Sequence, residues 1–360
     1  MFDEVQKFPK ARESIKYLVA DGRYDFIETG SLISIRENVG DIIVPSEEER
    51  LRMYPLTFPE FLEASGEGVL LDYIRSCYRG KRPLDDAFHK RATHLVREYM
   101  LVGGMPQAVV TFLEGGRDFY AADEAKRRIL DLYRDDIRKA AQRYKSKVSA
   151  LFEYIPGYLS TREKKVVLRK VDDGGEFDVY DDPLFWLGDS MMCNLCYRCT
   201  DPNVGFALNR DDSAVKCYLA DTGLLVSLAF SESEIASENL YRSIMAGRLP
   251  LNEGMLHGNL VAQTIASAGR KLYFYTHYSE QKHRNDIEID FLLSNDSKTN
   301  LRVTPVEVKS SKNYTTLSYA EFKRRFGGRI GSSMVVHPKA FSENETGMRL
   351  PTYMLFCVFE

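Results

Sequence analysis

IEIDFLL (residues 287–293) and TPVEVKS (residues 304–310) decide how the C-terminal part of this chain is read. In a strand, residues two apart point the same way. Glu288 and Asp290 therefore share a face, while Ile289 and Phe291 take the other. In VEVK, Glu307 and Lys309 share a face, and Val306 and Val308 point into a core. If the two strands pair, Asp290 and Glu307 converge on a divalent cation. Magnesium favours such a site, with a few carboxylates and several waters. Lys309 then stands beside a metal-bound water, where it can orient it or stabilise charge in a transition state. An acid, a gap of 17 positions, then acid-x-lysine is the pattern of a metal-dependent phosphodiesterase. Asp290, Glu307 and Lys309 are its catalytic candidates, and Asp290 and Glu307 its metal ligands. An ordinary solvated strand face with Glu and Lys would read the same way.

Outward from this pair the texture is α/β. A helix over NLVAQTIASAG precedes it, followed by strand KLYFYTHY, and a strand MVVH comes later. Upstream, residues 10–20 read as a helix with Ile15, Leu18 and Val19 on one side. YDFIETGS reads as a short buried strand ending in a turn. Helices dominate from about residue 70 to residue 154, with a Gly-Gly-Met-Pro break at residues 103–106. Helices followed by a strand hairpin near VKCYLADTGLLVSL are compatible with a winged helix. CNLCYRC sets Cys193, Cys196 and Cys199 at a spacing that can serve an iron–sulfur cluster or part of a zinc site. On a helix the same spacing is an apolar stripe.

The chain has 360 residues, 44% hydrophobic and 28% charged, with a net charge of −3, enough for two or three domains of a folded soluble protein. That charge argues against wholesale wrapping of nucleic acid and leaves room for a local basic face. Residues 126–170 supply one, with 14 Lys/Arg against 5 Asp/Glu. Cations there could neutralise the phosphates of DNA; a solvated helix face is the plain alternative. Tyr133, Tyr144, Tyr154 and Tyr158 could equally pack or stack on bases. No apolar run approaches the ~20 residues a bilayer span needs. Six cysteines without a secretory signal point to reduced thiols in a cytoplasm.

These motifs together resemble bacterial and archaeal AAA-type ATPases that carry the C-terminal domain of unknown function numbered 4143. FDEVQKFP looks like the Walker B strand end, IETGS like the sensor strand, and RMYPLTFPEFL like the end of the ATPase core. YMLVGGMPQAV and LYRDDIRKA look like the helical linker, and KCYLADTGLL, EIDFLLS and PVEVKSS like the C-terminal domain. The resemblance implies an α/β multidomain chain: residues 1–66 as the remnant of a P-loop ATPase sheet, 67–145 as a helical linker, and 146–232 as a winged-helix-like region. Residues 233–360 would be a PD-(D/E)XK, restriction-endonuclease-like domain.

It also implies roles. Asp3 would help hold magnesium, and Glu4 would polarise the water that attacks the γ-phosphate of ATP. Thr29 or Ser31 would sense that phosphate. A phosphate cradle needs backbone N–H groups at a helix start and a lysine, and GxxxxGK[ST] is absent from these residues. In the family that loop lies upstream of the acids, so the expectation is a truncated or degenerate ATPase that hydrolyses no ATP as this chain. A second departure is Gly258, beside His257, where the family shows a glutamate before Asn259; Glu253 is near but on another face. Three functions compete: an ATPase relative with a defective nucleotide site that binds nucleic acid or a partner, a magnesium-dependent nuclease, and a non-catalytic DNA- or protein-binding module. Homo-oligomers occur in this broad class, which makes one possible here.

Overall fold

The computed structural model describes residues 1–30, 49–140, 144–166, 177–231, 238–246, 253–281, 283–295 and 302–360. Helices α1 (Pro9–Asp21), α2 (Phe58–Ala64), α3 (Gly68–Arg79), α4 (Asp86–Val102), α5 (Pro106–Glu114), α6 (Phe119–Ala140), α7 (Lys145–Glu153), α8 (Ile155–Leu159) and α9 (Phe177–Asp189) come first. Strands β1 (Cys193–Cys199) and β2 (Arg210–Leu219) follow, then α10 (Thr222–Ala229), α11 (Glu238–Met245) and α12 (Glu253–Ser267). The rest comprises β3 (Leu272–Ser279), β4 (Arg284–Ile289), β5 (Phe291–Asn295), β6 (Arg302–Val308), α13 (Leu317–Phe326), β7 (Ser333–His337), β8 (Ser342–Asn344) and β9 (Gly347–Pro351). The chain is a mixed α/β protein that divides into two compact units.

The first unit holds residues 1–54, 132–152 and 168–193. The Phe2 N–H donates to Ile27 O and Phe2 O accepts from the Thr29 N–H, a parallel bridge between Phe2 and Glu28. The expected strand over YDFIETGS is thus reduced to this bridge. On α1, Ile15 is buried, whereas Leu18 and Val19 are about two-fifths exposed, at 40% and 41%.

The second unit, residues 55–131, 153–167 and 194–360, contains both sheets apart from the first residue of β1. One sheet has the order β2-β1-β3-β4 and the other β5-β6-β7-β9-β8. β1 runs parallel to β3, so the boundary expected at 232/233 is bridged by strand pairing. β5 and β6 are antiparallel, and β6, β7 and β9 are parallel, with α13 as the crossover from β6 to β7. Alternation explains the shared core: Ile287 and Ile289 of β4 pack with Tyr275, Leu292, Val303, Tyr319 and Phe322.

Two sequence expectations are corrected here. VKCYLADTGLLVSL is no hairpin: β2 ends at Leu219, and Asp221 caps α10 by accepting from the Leu224 N–H at 2.8 Å. CNLCYRC is a strand rather than a helix, because it completes the sheet beside β3. On a strand Cys196 points opposite to Cys193 and Cys199, so three thiolates do not converge. Burial pushes the Cys199 thiol up to about 11 and raises Cys196 further, which leaves both protonated.

Candidate functional site

IEIDFLL breaks at Asp290, between β4 and β5. The register Phe291↔Val306 then sets Asp290 across from Glu307, as the pattern predicts. The backbone N–H of Val308 donates to Asp290 Oδ2 at 2.9 Å, which fixes the carboxylate at the strand junction. Lys309 Nζ lies 2.7 Å from Glu307 Oε2. Glu288, on the same face as Asp290, is held through its N–H, which points to Ser318 Oγ at the start of α13 at 3.4 Å.

Two further lysines enter this group, and neither is near it in sequence. Lys216 of β2 and Lys164, from the segment after α8, each bring Nζ to 3.9 Å from Asp290 Oδ1. Lys216 is fully buried, its ammonium 4.6 Å from the centre of the Phe274 ring. Three carboxylates therefore face three ammonium groups. Burial pushes Asp290 upward, but Lys164, Lys216, the Val308 N–H and Lys309 outweigh it and hold the carboxyl below its usual range. Burial raises Glu288 and Glu307, offset only in part by Lys216 and Lys309 respectively. Lys164 is lowered by burial despite Asp290.

Fit to a divalent ion can be tested on this donor set. Among the described residues, no three His, Cys, Asp or Glu side chains are grouped so as to hold a metal. The charge that such an ion would cancel is already cancelled by lysines. Gly258 of α12 makes room for one of them: a Cβ built there would stand 3.2 Å from Lys164 Nζ. As arranged, Asp290 and Glu307 do not fit a magnesium ion. Glu253 begins α12, half-exposed, with Arg97 at 3.9 Å.

In the first unit, Thr29 Oγ1 donates to Asp3 Oδ1, so these two expected nucleotide residues meet. Glu4 has left-handed backbone and pairs with Lys7 at 3.7 Å. Ser31 lies outside the described residues. The basic stretch 126–170 is divided between the two units. Lys126 is fully buried and donates to Leu101 O, Gly223 O and Tyr241 Oη. Arg127 donates to Asp123 at 2.7 Å, and Lys164 belongs to the acid cluster. Arg128, Arg138, Lys139, Lys145 and Arg162 remain exposed, Arg138 beside Asp135; residues 141–143 and 167–170 lie outside the described residues. Tyr133 packs on Phe152, Tyr144 donates to Asp182 at 2.6 Å, and Tyr154 packs on Tyr158.

Several residues whose role the sequence did not reveal form a buried polar seam. Asp221 accepts from the Gly104 N–H at 2.6 Å as well as from Leu224. Thr222 donates to Gln263 Oε1, Asn259 Nδ2 donates to Leu219 O and Thr222 Oγ1, and Gln263 Nε2 donates to Tyr99 Oη. Tyr99 in turn donates to Leu56 O at 2.5 Å. The motifs that read as separate landmarks are thus one structural junction.

Family models match three stretches: an AAA domain over residues 1–62, a domain of unknown function (DUF8612) over 93–234, and a domain of unknown function (DUF4143) over 253–353. KCYLADTGLL, expected in the C-terminal domain, falls in the middle stretch. No curated protein and no solved structure matches the chain. Among the described residues, no helix is long and apolar enough to cross a membrane. An AAA domain model over residues 1–62 and a DUF4143 model over 253–353 are the combination expected of AAA-family proteins that carry DUF4143.

Proposed function

We propose that this protein engages duplex nucleic acid through exposed cations of residues 126–170 and carries a nuclease-like α/β domain that does not cut it. One observation carries the reading: Asp290, where a metal-dependent site would hold its ion, is neutralised by Lys164 and Lys216, each 3.9 Å away. The nuclease-like assignment is supported by the acid pair on adjacent antiparallel strands and by the β6–α13–β7 crossover between parallel strands. Support for nucleic acid is the exposed cations of residues 126–170, taken unit by unit: Arg138, Lys139 and Lys145 in the first, Arg128 and Arg162 in the second. ATP with magnesium is what an AAA domain generally implies. These residues contain no GxxxxGK[ST], and the proposed function uses no nucleotide step.

A second reading, metal-dependent cutting, is favoured by Lys309 standing 2.7 Å from Glu307. Supercoiled plasmid incubated with Mg²⁺ or Mn²⁺ separates the two. The expected result is intact plasmid; nicking that disappears in Asp290→Ala establishes the second reading instead. Duplex binding measured at two salt concentrations should weaken at the higher one, because phosphate contacts release counterions. An affinity indifferent to salt removes the nucleic-acid proposal.

A further inference from the structure

We infer that Lys164 is the resident cation of the acid cluster: its ammonium takes the place beside Asp290 that a divalent ion would fill, and Gly258 leaves it uncrowded. The inference rests on the nuclease-like reading of Asp290, Glu307 and Lys309. Its grounds are geometric. Lys164 Nζ lies 3.9 Å from Asp290 Oδ1 and 3.2 Å from where a Cβ on residue 258 would stand, so a side chain at 258 would crowd this ammonium. Lys164 adopts φ +54°, a left-handed backbone uncommon for a side-chain-bearing residue. Its N–H donates to Thr161 Oγ1 at 3.2 Å, which holds that turn. A chain that keeps an uncommon backbone to deliver a cation indicates that the cation matters there.

The cluster also holds buried groups that its own residues leave incomplete. Glu307 is 2% exposed, and its Oε1 has no hydrogen-bond partner among the described residues. Lys216 Nζ and the Tyr218 hydroxyl, two residues apart on β2, are likewise buried without a hydrogen-bond partner. Such an interior is costly unless its charges balance. Lys216 is fixed over Phe274 inside the sheet, whereas the Lys164 side chain is 14% exposed and arrives on a loop. Lys164 is therefore the cation that can be removed while the strands stay in place.

Binding of Mn²⁺ to the full chain, read by the loss of the free-ion electron paramagnetic resonance signal, tests this. The variants are Lys164→Gln, Lys164→Met, Lys164→Arg and Lys164→Gln with Asp290→Asn, each checked for folding by thermal melting. Removing one positive charge next to Asp290 should tighten Mn²⁺ binding by roughly tenfold or more in the Gln and Met variants. Lys164→Arg, which keeps the charge, should behave as the parent, and the added Asp290→Asn should abolish the gain. If both neutral variants fail to fold while Lys164→Arg folds, Lys164 is a structural counter-charge that cannot be removed, and the inference is overturned. It is overturned if the neutral variants bind Mn²⁺ no more tightly than the parent, if the parent already binds as tightly, or if Lys164→Arg unfolds with the rest. Plasmid cutting by the parent chain would refute the non-cutting reading; unchanged Mn²⁺ binding without cutting would refute only the role of Lys164.

Discussion

His257 shows how one side chain registers the charge next to it. It is buried on α12, and burial first, then Lys164 and Arg97, lower its pKa from 6.5 to about 4. The folded protein thus holds a neutral imidazole where the unfolded chain would accept a proton. A group with a depressed folded pKa contributes stability that is present above its unfolded pKa and lost as pH falls through the folded one. Between pH 6.5 and about 4 the protein should therefore lose stability, on the order of 3 kcal/mol from this residue. Asp290, also depressed, adds loss at lower pH, while the raised Glu288 and Glu307 act in the opposite direction. Urea midpoints across this range for the parent and for His257→Gln isolate the contribution. If both proteins show the same slope, the imidazole is not titrating as described.

At the scale of elements, the informative junction is where the end of α4 meets the start of α10. Gly103 and Gly104 read in the sequence as a simple break between helices. In the structure Gly103 has φ +84°, and a Cβ there would stand 2.1 Å from Asp221 Oδ1. The glycine lets Asp221, fully buried, cap α10 and receive the Gly104 N–H at once. Gly103→Ala should cost about 2–4 kcal/mol, combining left-handed backbone strain with overpacking. Chemical denaturation measures this, and a loss under about 0.5 kcal/mol, the scatter of neutral surface changes, would contradict the close approach. Strands β3, β6 and β7 and helices α1 and α12 were legible because alternation and helical period are local signals. The tie between Gly104 and Asp221 was not, since the two lie 117 residues apart. The same holds for the acid cluster: Asp290, Glu307 and Lys309 announce themselves within twenty positions, while Lys164 and Lys216 arrive from elements far upstream. The cysteine stretch misled because its apolar spacing fits a helix face, and the open edge of β3 decides it.

For the whole molecule, the division expected between residues 232 and 233 and the observed sheet make opposite predictions. β3 pairs with β1 through Cys196↔Leu272, Tyr197↔Tyr273 and Arg198↔Phe274. Leu272, Tyr273 and Phe274 are all buried, and Cys199 and Phe206 belong to the core that β4 and α13 share. A fragment of residues 233–360 loses those partners along with Lys216 and Lys164, the two lysines that face Asp290 Oδ1. It would be left with an apolar strand edge open to other chains and a carboxylate short of two cations, and breaking a buried ion pair from one side costs about 3–5 kcal/mol. Domains of this size have only about 5–15 kcal/mol in total. The fragment should therefore aggregate or show no cooperative thermal transition by circular dichroism. Residues 55–360, which retain every strand among the described residues, should melt cooperatively. A sharp, reversible transition for 233–360 alone would mean that the sheet of β1 and β2 is accessory, and that the acid cluster stands without the lysine that β2 brings to it.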